Sequence, residues 1–110
     1  MKLWIDDLRY PPEGWVWARS SDEAVLHLTM RHWQVVSFDH DLGGDDTGMK
    51  VMDWMIEYMD IDEWPRQINV HSANPVGVRN LINRARDYSP PGTVIQQVSV
   101  RDRVDRPDQD

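Results

Sequence analysis

Acidic residues and histidines occur in three short clusters whose side chains could bind a metal ion or a phosphate. The clusters are Asp6-Asp7, Asp39-His40-Asp41 and His71-Ser72. Carboxylates that lie close together repel one another unless a cation binds between them, and their hard oxygens suit Mg²⁺ or Mn²⁺. Histidine donates or accepts a proton near neutral pH. The residue types therefore favour metal-assisted phosphate chemistry, provided that the fold brings the clusters together.

The metal-binding and catalytic candidates come from these clusters. We expect Asp6, Asp7 and Asp39 to hold a divalent cation, Mg²⁺ or Mn²⁺, that polarises phosphoryl oxygens. His40 and His71, together with Asp39, are the candidate catalytic residues: one histidine would activate water and the other would protonate the leaving oxygen. Which histidine is the acid stays open. An alternative is that the two histidines act without a metal, because a general acid–base pair can break a phosphodiester alone.

Four further residues are candidates for binding the substrate. They are Arg9, Asp41, Ser72 and Asn74. Arg9, directly after the first acidic pair, can clamp a phosphate. Asn74-Pro75 is typical of an N-cap followed by proline at the first helical position. A helix that begins there would direct free N–H groups toward an anion beside His71 and Ser72.

Short apolar runs precede all three clusters and indicate buried strands. Strands are predicted at residues 2–5, 15–19, 35–38, 68–70 and 93–100. Helices are predicted from Ser20 to about His32, from near Thr47 to Trp64, and from Asn74 to before the loop at Pro90. Strands that alternate with helices predict a parallel sheet with helices on both faces. Because ligands of such sheets bind beyond the carboxyl ends of the strands, the three clusters are expected to share one edge.

Composition limits the range of folds and partners. A chain of 110 residues has room for one domain, and we expect it to span residues 1–100, followed by a charged, frayed tail at residues 101–110. A net charge of −7 disfavours binding to duplex nucleic acid, which depends on Lys and Arg. No apolar run approaches the roughly 20 residues of a membrane helix. We therefore expect no membrane partner and, by default, a cytoplasmic location.

The clusters also carry a resemblance to receiver domains. Asp6-Asp7, Asp39 and Ser72 fall where response-regulator receivers hold their metal-binding acid pair, phosphoacceptor aspartate and hydroxyl residue. The blocks WIDDLRYPPEGW, SFDHDLGGDDTG and VHSANPVG more specifically resemble the cyclic-phosphate-processing receiver family, over about residues 1–88. The resemblance implies a flavodoxin-like, three-layer α/β domain with a mostly parallel five-stranded sheet. The first helix would be reduced to a loop at residues 11–14.

Departures from ordinary receivers shift the expected function toward hydrolysis. Receivers carry a lysine at the end of the last strand, whereas the only lysines here are Lys2 and Lys50, and two histidines have been gained. The leading hypothesis is a phosphoesterase that opens a cyclic phosphate on a small nucleotide or an RNA end. One alternative is a signalling receiver that stores phosphate on Asp39. The other is a non-catalytic module that captures a phosphate or a metal ion.

Overall fold

The sheet is built from five parallel strands that follow the order of flavodoxin-like receivers. The computed structural model describes residues 1–99, and within them the strand order is β2-β1-β3-β4-β5. The strands are β1 (Lys2–Ile5), β2 (Val16–Ala18), β3 (Val35–Phe38), β4 (Gln67–Val70) and β5 (Val94–Gln97). All four strand pairs are parallel. The predicted receiver-like α/β fold is thus confirmed.

Three helices connect the strands, and each begins at a polar cap. The helices are α1 (Ser21–Met30), α2 (Gly48–Tyr58) and α3 (Pro75–Tyr88). The side chains that accept a hydrogen bond from the first helical turn belong to Ser20, Thr47 and Asn74. The predicted end of α2 at Trp64 is wrong, because a separate 3₁₀ turn occupies Ile61–Glu63. Its Glu63 side chain accepts the backbone N–H of Asp60, which restarts the helical geometry.

All three helices pack on one face of the sheet. That face is apolar and forms the core with residues of the helices; its strand residues include Leu3, Ile5, Val36, Phe38, Ile68 and Val70. Helix α1 contacts α2, and α2 contacts α3. Right-handed crossovers from β2 to β3, β3 to β4 and β4 to β5 all fall on the same side. The expectation of helices on both faces is therefore wrong for residues 1–99, since the one connection that would cross the other face carries no helix.

The connection between β1 and β2 covers part of the second face instead. Residues 6–15 contain no helix, as expected from the predicted loop. Two strand tryptophans fasten this connection to the sheet: Trp4 Nε1 donates to the carbonyl of Arg9 at 2.9 Å, and Trp17 Nε1 donates to the carbonyl of Asp6 at 2.7 Å. The tryptophans thereby hold the segment that carries the first acidic pair.

Within residues 1–99, no helix is both long enough and apolar enough to cross a membrane. The predicted domain end at residue 100 and the predicted fraying of residues 101–110 lie outside the described residues.

Candidate functional site

Three of the candidate residues occupy equivalent positions at the carboxyl edge of the sheet. Asp6 follows β1, Asp39 follows β3 and His71 follows β4. The backbone ladder continues through this row, because the N–H of Asp39 donates to Ile5 and the N–H of His71 donates to Phe38, both at 2.9 Å. The sheet itself therefore sets the spacing between these side chains.

The carboxylates of Asp6, Asp7 and Asp39 form a cluster, called here the acidic triad. Each offers an oxygen, and the three oxygens lie within 4.8 Å of one another. Asp6 and Asp39 are buried, and Asp7 is half-buried. The structure thus brings together the three residues predicted to hold a cation. A cluster of carboxylate oxygens at this spacing could hold a metal ion.

The three carboxyl groups of the triad differ in their electrostatic surroundings. Burial alone would raise the pKa of Asp6, but hydrogen bonds from His71 and from two backbone N–H groups outweigh it and hold that pKa below its ordinary value. Burial, and then repulsion from Asp6, raise the pKa of Asp39. Burial also raises the pKa of Asp7. Asp6 is therefore the carboxyl group of the triad that ionises most readily, whereas the pKa values of Asp7 and Asp39 are raised.

His71 lies beneath the triad in a fully buried network. Its Nε2 is 3.1 Å from Oδ2 of Asp6, and its Nδ1 is 2.6 Å from Oγ of Ser37. Its ring stacks on Trp4 with centroids 3.6 Å apart and planes 8° from parallel. Because an ionised carboxylate only accepts, Nε2 carries the proton, and in the neutral ring Nδ1 then accepts from the Ser37 hydroxyl. Both ring nitrogens are thus engaged inside the protein.

His40 lies on the other side of the sheet, at the beginning of α3. Its Nδ1 is 2.9 Å from Oδ1 of Asp41, whose other oxygen accepts from Nδ2 of Asn74 at 3.2 Å. The hydrogen bond with His40 lowers the pKa of Asp41. A Cβ on Gly77 of α3 would lie 2.4 Å from Cγ of His40, so the imidazole rests directly on that glycine. The side chain of His40 is 19% exposed, whereas that of His71 is inaccessible.

An open cleft of about 430 Å³ lies above the acidic triad. The residues that line it are Asp7, Leu8, Arg9, Asp39, Asp41, Gly43, Ser72, Ala73 and Asn74. All four predicted substrate-binding residues belong to this lining. His40 and His71 do not: His40 is linked to the cleft through Asp41, whereas His71 bonds to Asp6, which is buried below the lining.

The segment before α3 presents polar groups to the cleft. Ser72 interacts through its side chain with the Asp39 carboxylate and accepts the backbone N–H of Asn74 at 3.1 Å. Asn74 in turn accepts the N–H of Gly77 at 3.1 Å and so caps α3. The positive end of a 14-residue helix therefore faces the cleft.

Two residues that support the site carry little signal in the sequence. Ser37 is a single polar residue within an apolar strand, and its partner on the neighbouring strand is Trp4. Gly77 resembles any other helical glycine until the contact with His40 is seen. The sequence hint of Ser37 is its position two residues before Asp39, which places both side chains on the same face of the sheet. A hydroxyl buried there requires a polar partner.

Comparison with known proteins agrees with this geometry. The sequence profile of the cyclic-phosphate processing receiver domain matches residues 1–87. No curated protein and no solved structure matches the chain significantly. The matched segment contains the acidic triad, both site histidines and most of α3. This chain therefore belongs to the cyclic-phosphate processing receiver family.

Proposed function

We propose that this chain is a cation-dependent phosphoesterase that opens a cyclic phosphate on a small nucleotide or at an RNA end. The observation that carries the proposal is the acidic triad, whose three carboxylate oxygens lie within 4.8 Å of one another below an open cleft. Membership of a family named for cyclic-phosphate processing supports this substrate class.

The acidic triad is the proposed cation site. Asp6, Asp7 and Asp39 would hold Mg²⁺ or Mn²⁺, and the raised pKa values of Asp7 and Asp39 support this assignment because they reflect burial and repulsion between the carboxylates. A cation bound there would polarise the phosphoryl oxygens and neutralise their charge. Asp6 is already ionised and oriented by its hydrogen bonds, so little reorganisation accompanies binding.

The proposed phosphate position lies between the triad and the beginning of α3. Ser72, Ala73 and Asn74 line the cleft there. A helix N-terminus favours an anion through its dipole. Neutral polar groups would thus bind an anionic ligand from this side. Such groups matter because a protein of net charge −7 repels anions overall.

His40 is the proposed acid–base residue. Its Nδ1 faces a carboxylate, so Nδ1 carries the proton and Nε2 carries the lone pair. Asp41 fixes this tautomer, while Gly77 supports the ring. In the proposed reaction the oxygen of water bonds to phosphorus and one ester P–O bond breaks. His40 would carry the proton of water to the leaving oxygen, so no proton is gained or lost overall.

His71 receives a positioning role in this proposal, in place of the direct role expected from the sequence. Its burial and its two internal hydrogen bonds support an action through Asp6. A hydrogen bond to a metal-binding carboxylate orients the carboxylate and tunes its basicity.

The test is turnover of cyclic mononucleotides, cyclic dinucleotides and RNA with a 2′,3′-cyclic phosphate, each with and without Mg²⁺ and Mn²⁺. His40→Ala should lower turnover about 10²–10⁴-fold, because it removes the acid–base group. His32→Ala is the matched control, since His32 is exposed and belongs to no site cluster. Full activity of His40→Ala would contradict the assignment.

The same preparation tests phosphate storage. A receiver that stores phosphate should form an acid-labile aspartyl phosphate with acetyl phosphate, and Asp39→Ala should prevent it. Neither lysine supports such an intermediate: Lys2 lies over the ring of Trp15, and Lys50 lies 3.9 Å from Asp46. A stable phosphoprotein without turnover would replace the proposed function with storage.

A further inference from the structure

The guanidinium of Arg9 lies beside two carboxylates of the acidic triad. Its Nη1 lies 3.4 Å from Oδ2 of Asp39 and 3.7 Å from Oδ2 of Asp6. Both carboxylates belong to the acidic triad, which is the proposed cation site. A single guanidinium nitrogen is thus shared by two of the three carboxylates.

The contacts of Arg9 in this position are incomplete. Its Nε is buried, and within residues 1–99 no acceptor forms a hydrogen bond with it. A buried donor without a partner costs about 1–3 kcal/mol. Strong guanidinium–carboxylate pairs are bidentate and about 2.7–2.9 Å long, whereas both contacts here are longer and come from one nitrogen. The charge of the carboxylate pair therefore holds the side chain in place.

The backbone of Arg9, by contrast, is fixed. Its N–H donates to Oδ1 of Asp6 at 2.8 Å, and its carbonyl accepts from Nε1 of Trp4 at 2.9 Å. The side chain also lines the cleft. A guanidinium that leaves the carboxylates therefore remains within side-chain reach of the cleft and of the proposed phosphate position.

We propose that Arg9 competes with the divalent cation for Asp6 and Asp39, and that it turns to the phosphate when the cation binds. In the absence of the cation the guanidinium screens the two carboxylates from each other. Once a cation screens them, the position of Arg9 becomes repulsive and its unpaired Nε gains an acceptor on the anion. The inference rests on the proposed cation site and adds an order to binding: cation first, phosphate second.

Isothermal titration of the free protein with Mg²⁺ and with Mn²⁺ tests the competition. Arg9→Ala should bind each cation about threefold to tenfold more tightly than wild type, because the variant lacks the competing guanidinium. The interaction that is lost has about the free energy of a partly exposed ion pair. The bond from the backbone N–H to Asp6 survives this change. Arg79→Ala, an exposed residue on α3, is the control with the same change in net charge. A merely structural Arg9 would instead show weaker binding after its removal.

Inorganic phosphate gives the second readout. In saturating Mg²⁺, Arg9→Ala should bind phosphate more weakly than wild type, so the two affinities move in opposite directions. In wild type, the ¹⁵Nε signal of Arg9 should shift when Mg²⁺ is added. If Arg9→Ala does not fold without the cation, Arg9→Gln keeps most of the side-chain volume and removes the charge.

The outcomes separate this inference from the proposed function. Tighter cation binding by Arg9→Ala supports the competition even if no cyclic phosphate is turned over, in which case the proposed activity alone is wrong. Cation binding no tighter than in Arg79→Ala overturns the competition, whatever the activity. Absence of cation binding in both wild type and Arg9→Ala overturns the competition and the cation site together.

Discussion

Replacing His71 by alanine should destabilise the whole domain, because the imidazole lies inside a buried network. The bond to the ionised Asp6 is worth about 2–3 kcal/mol, and the bond to Ser37 about 1 kcal/mol. The stack on Trp4, with centroids 3.6 Å apart, adds about 1 kcal/mol. We expect a loss of about 4–5 kcal/mol, a large part of the roughly 5–15 kcal/mol available to a small domain. A strand-end position alone would have suggested tolerance.

Urea unfolding followed by tryptophan fluorescence measures this loss. With a slope of about 2 kcal/mol/M, the midpoint should fall by about 2 M. Ser37→Ala removes one partner of the imidazole and should cost about 1–2 kcal/mol. His32→Ala should change stability by less than about 0.5 kcal/mol, because its side chain is exposed. A His71→Ala midpoint within the error of the wild-type value would refute the buried network.

Three further predictions concern the triad and the support of His40. Asp39→Asn should abolish the rise in melting temperature on addition of Mg²⁺, yet be at least as stable as wild type without it, because burial and repulsion from Asp6 raise the pKa of Asp39. Gly77→Ala should lower stability by about 1–2 kcal/mol in urea unfolding despite the better helix propensity, because the new Cβ would lie 2.4 Å from Cγ of His40. Cation affinity, measured by titration at several pH values, should fall as the pH drops. Since the raised pKa values of Asp7 and Asp39 favour protonation, the fall should begin at a higher pH than for ordinary carboxylates.

Much of the fold was predictable because local signals and topology agree. Apolar runs ending in acids marked β1 and β3, and polar caps marked the beginnings of α1 and α3. The side of the sheet on which the helices lie also follows from the handedness of the crossovers. Because residues 6–15 form a loop, the remaining right-handed crossovers all fall on one side of the sheet. The prediction of helices on both faces overlooked this consequence of the missing first helix.

The acidic triad was predictable for a similar reason, whereas the environment of each side chain was not. Parallel strands align their carboxyl ends, so Asp6 and Asp39 had to lie near each other. The burial of His71 depends on Ser37, a small residue on β3. The imidazole extends from the end of β4 over Ser37 and stacks on Trp4 of β1. Such a contact joins residues far apart in the chain, and residue types alone do not reveal it.

Alternation along the strands explains why the two histidines do not form a catalytic pair. Phe38 and Val70 are in register and both point to the helices. His40 follows Phe38 by two positions and lies on the helical side, whereas His71 follows Val70 by one and lies on the opposite side. Under the proposed function, one imidazole is therefore left for proton transfer. His40 must then both accept the proton of water and deliver it to the leaving oxygen, while a cation held by the triad would neutralise the phosphoryl charge. Competition of Arg9 for the same carboxylates would therefore control the reaction.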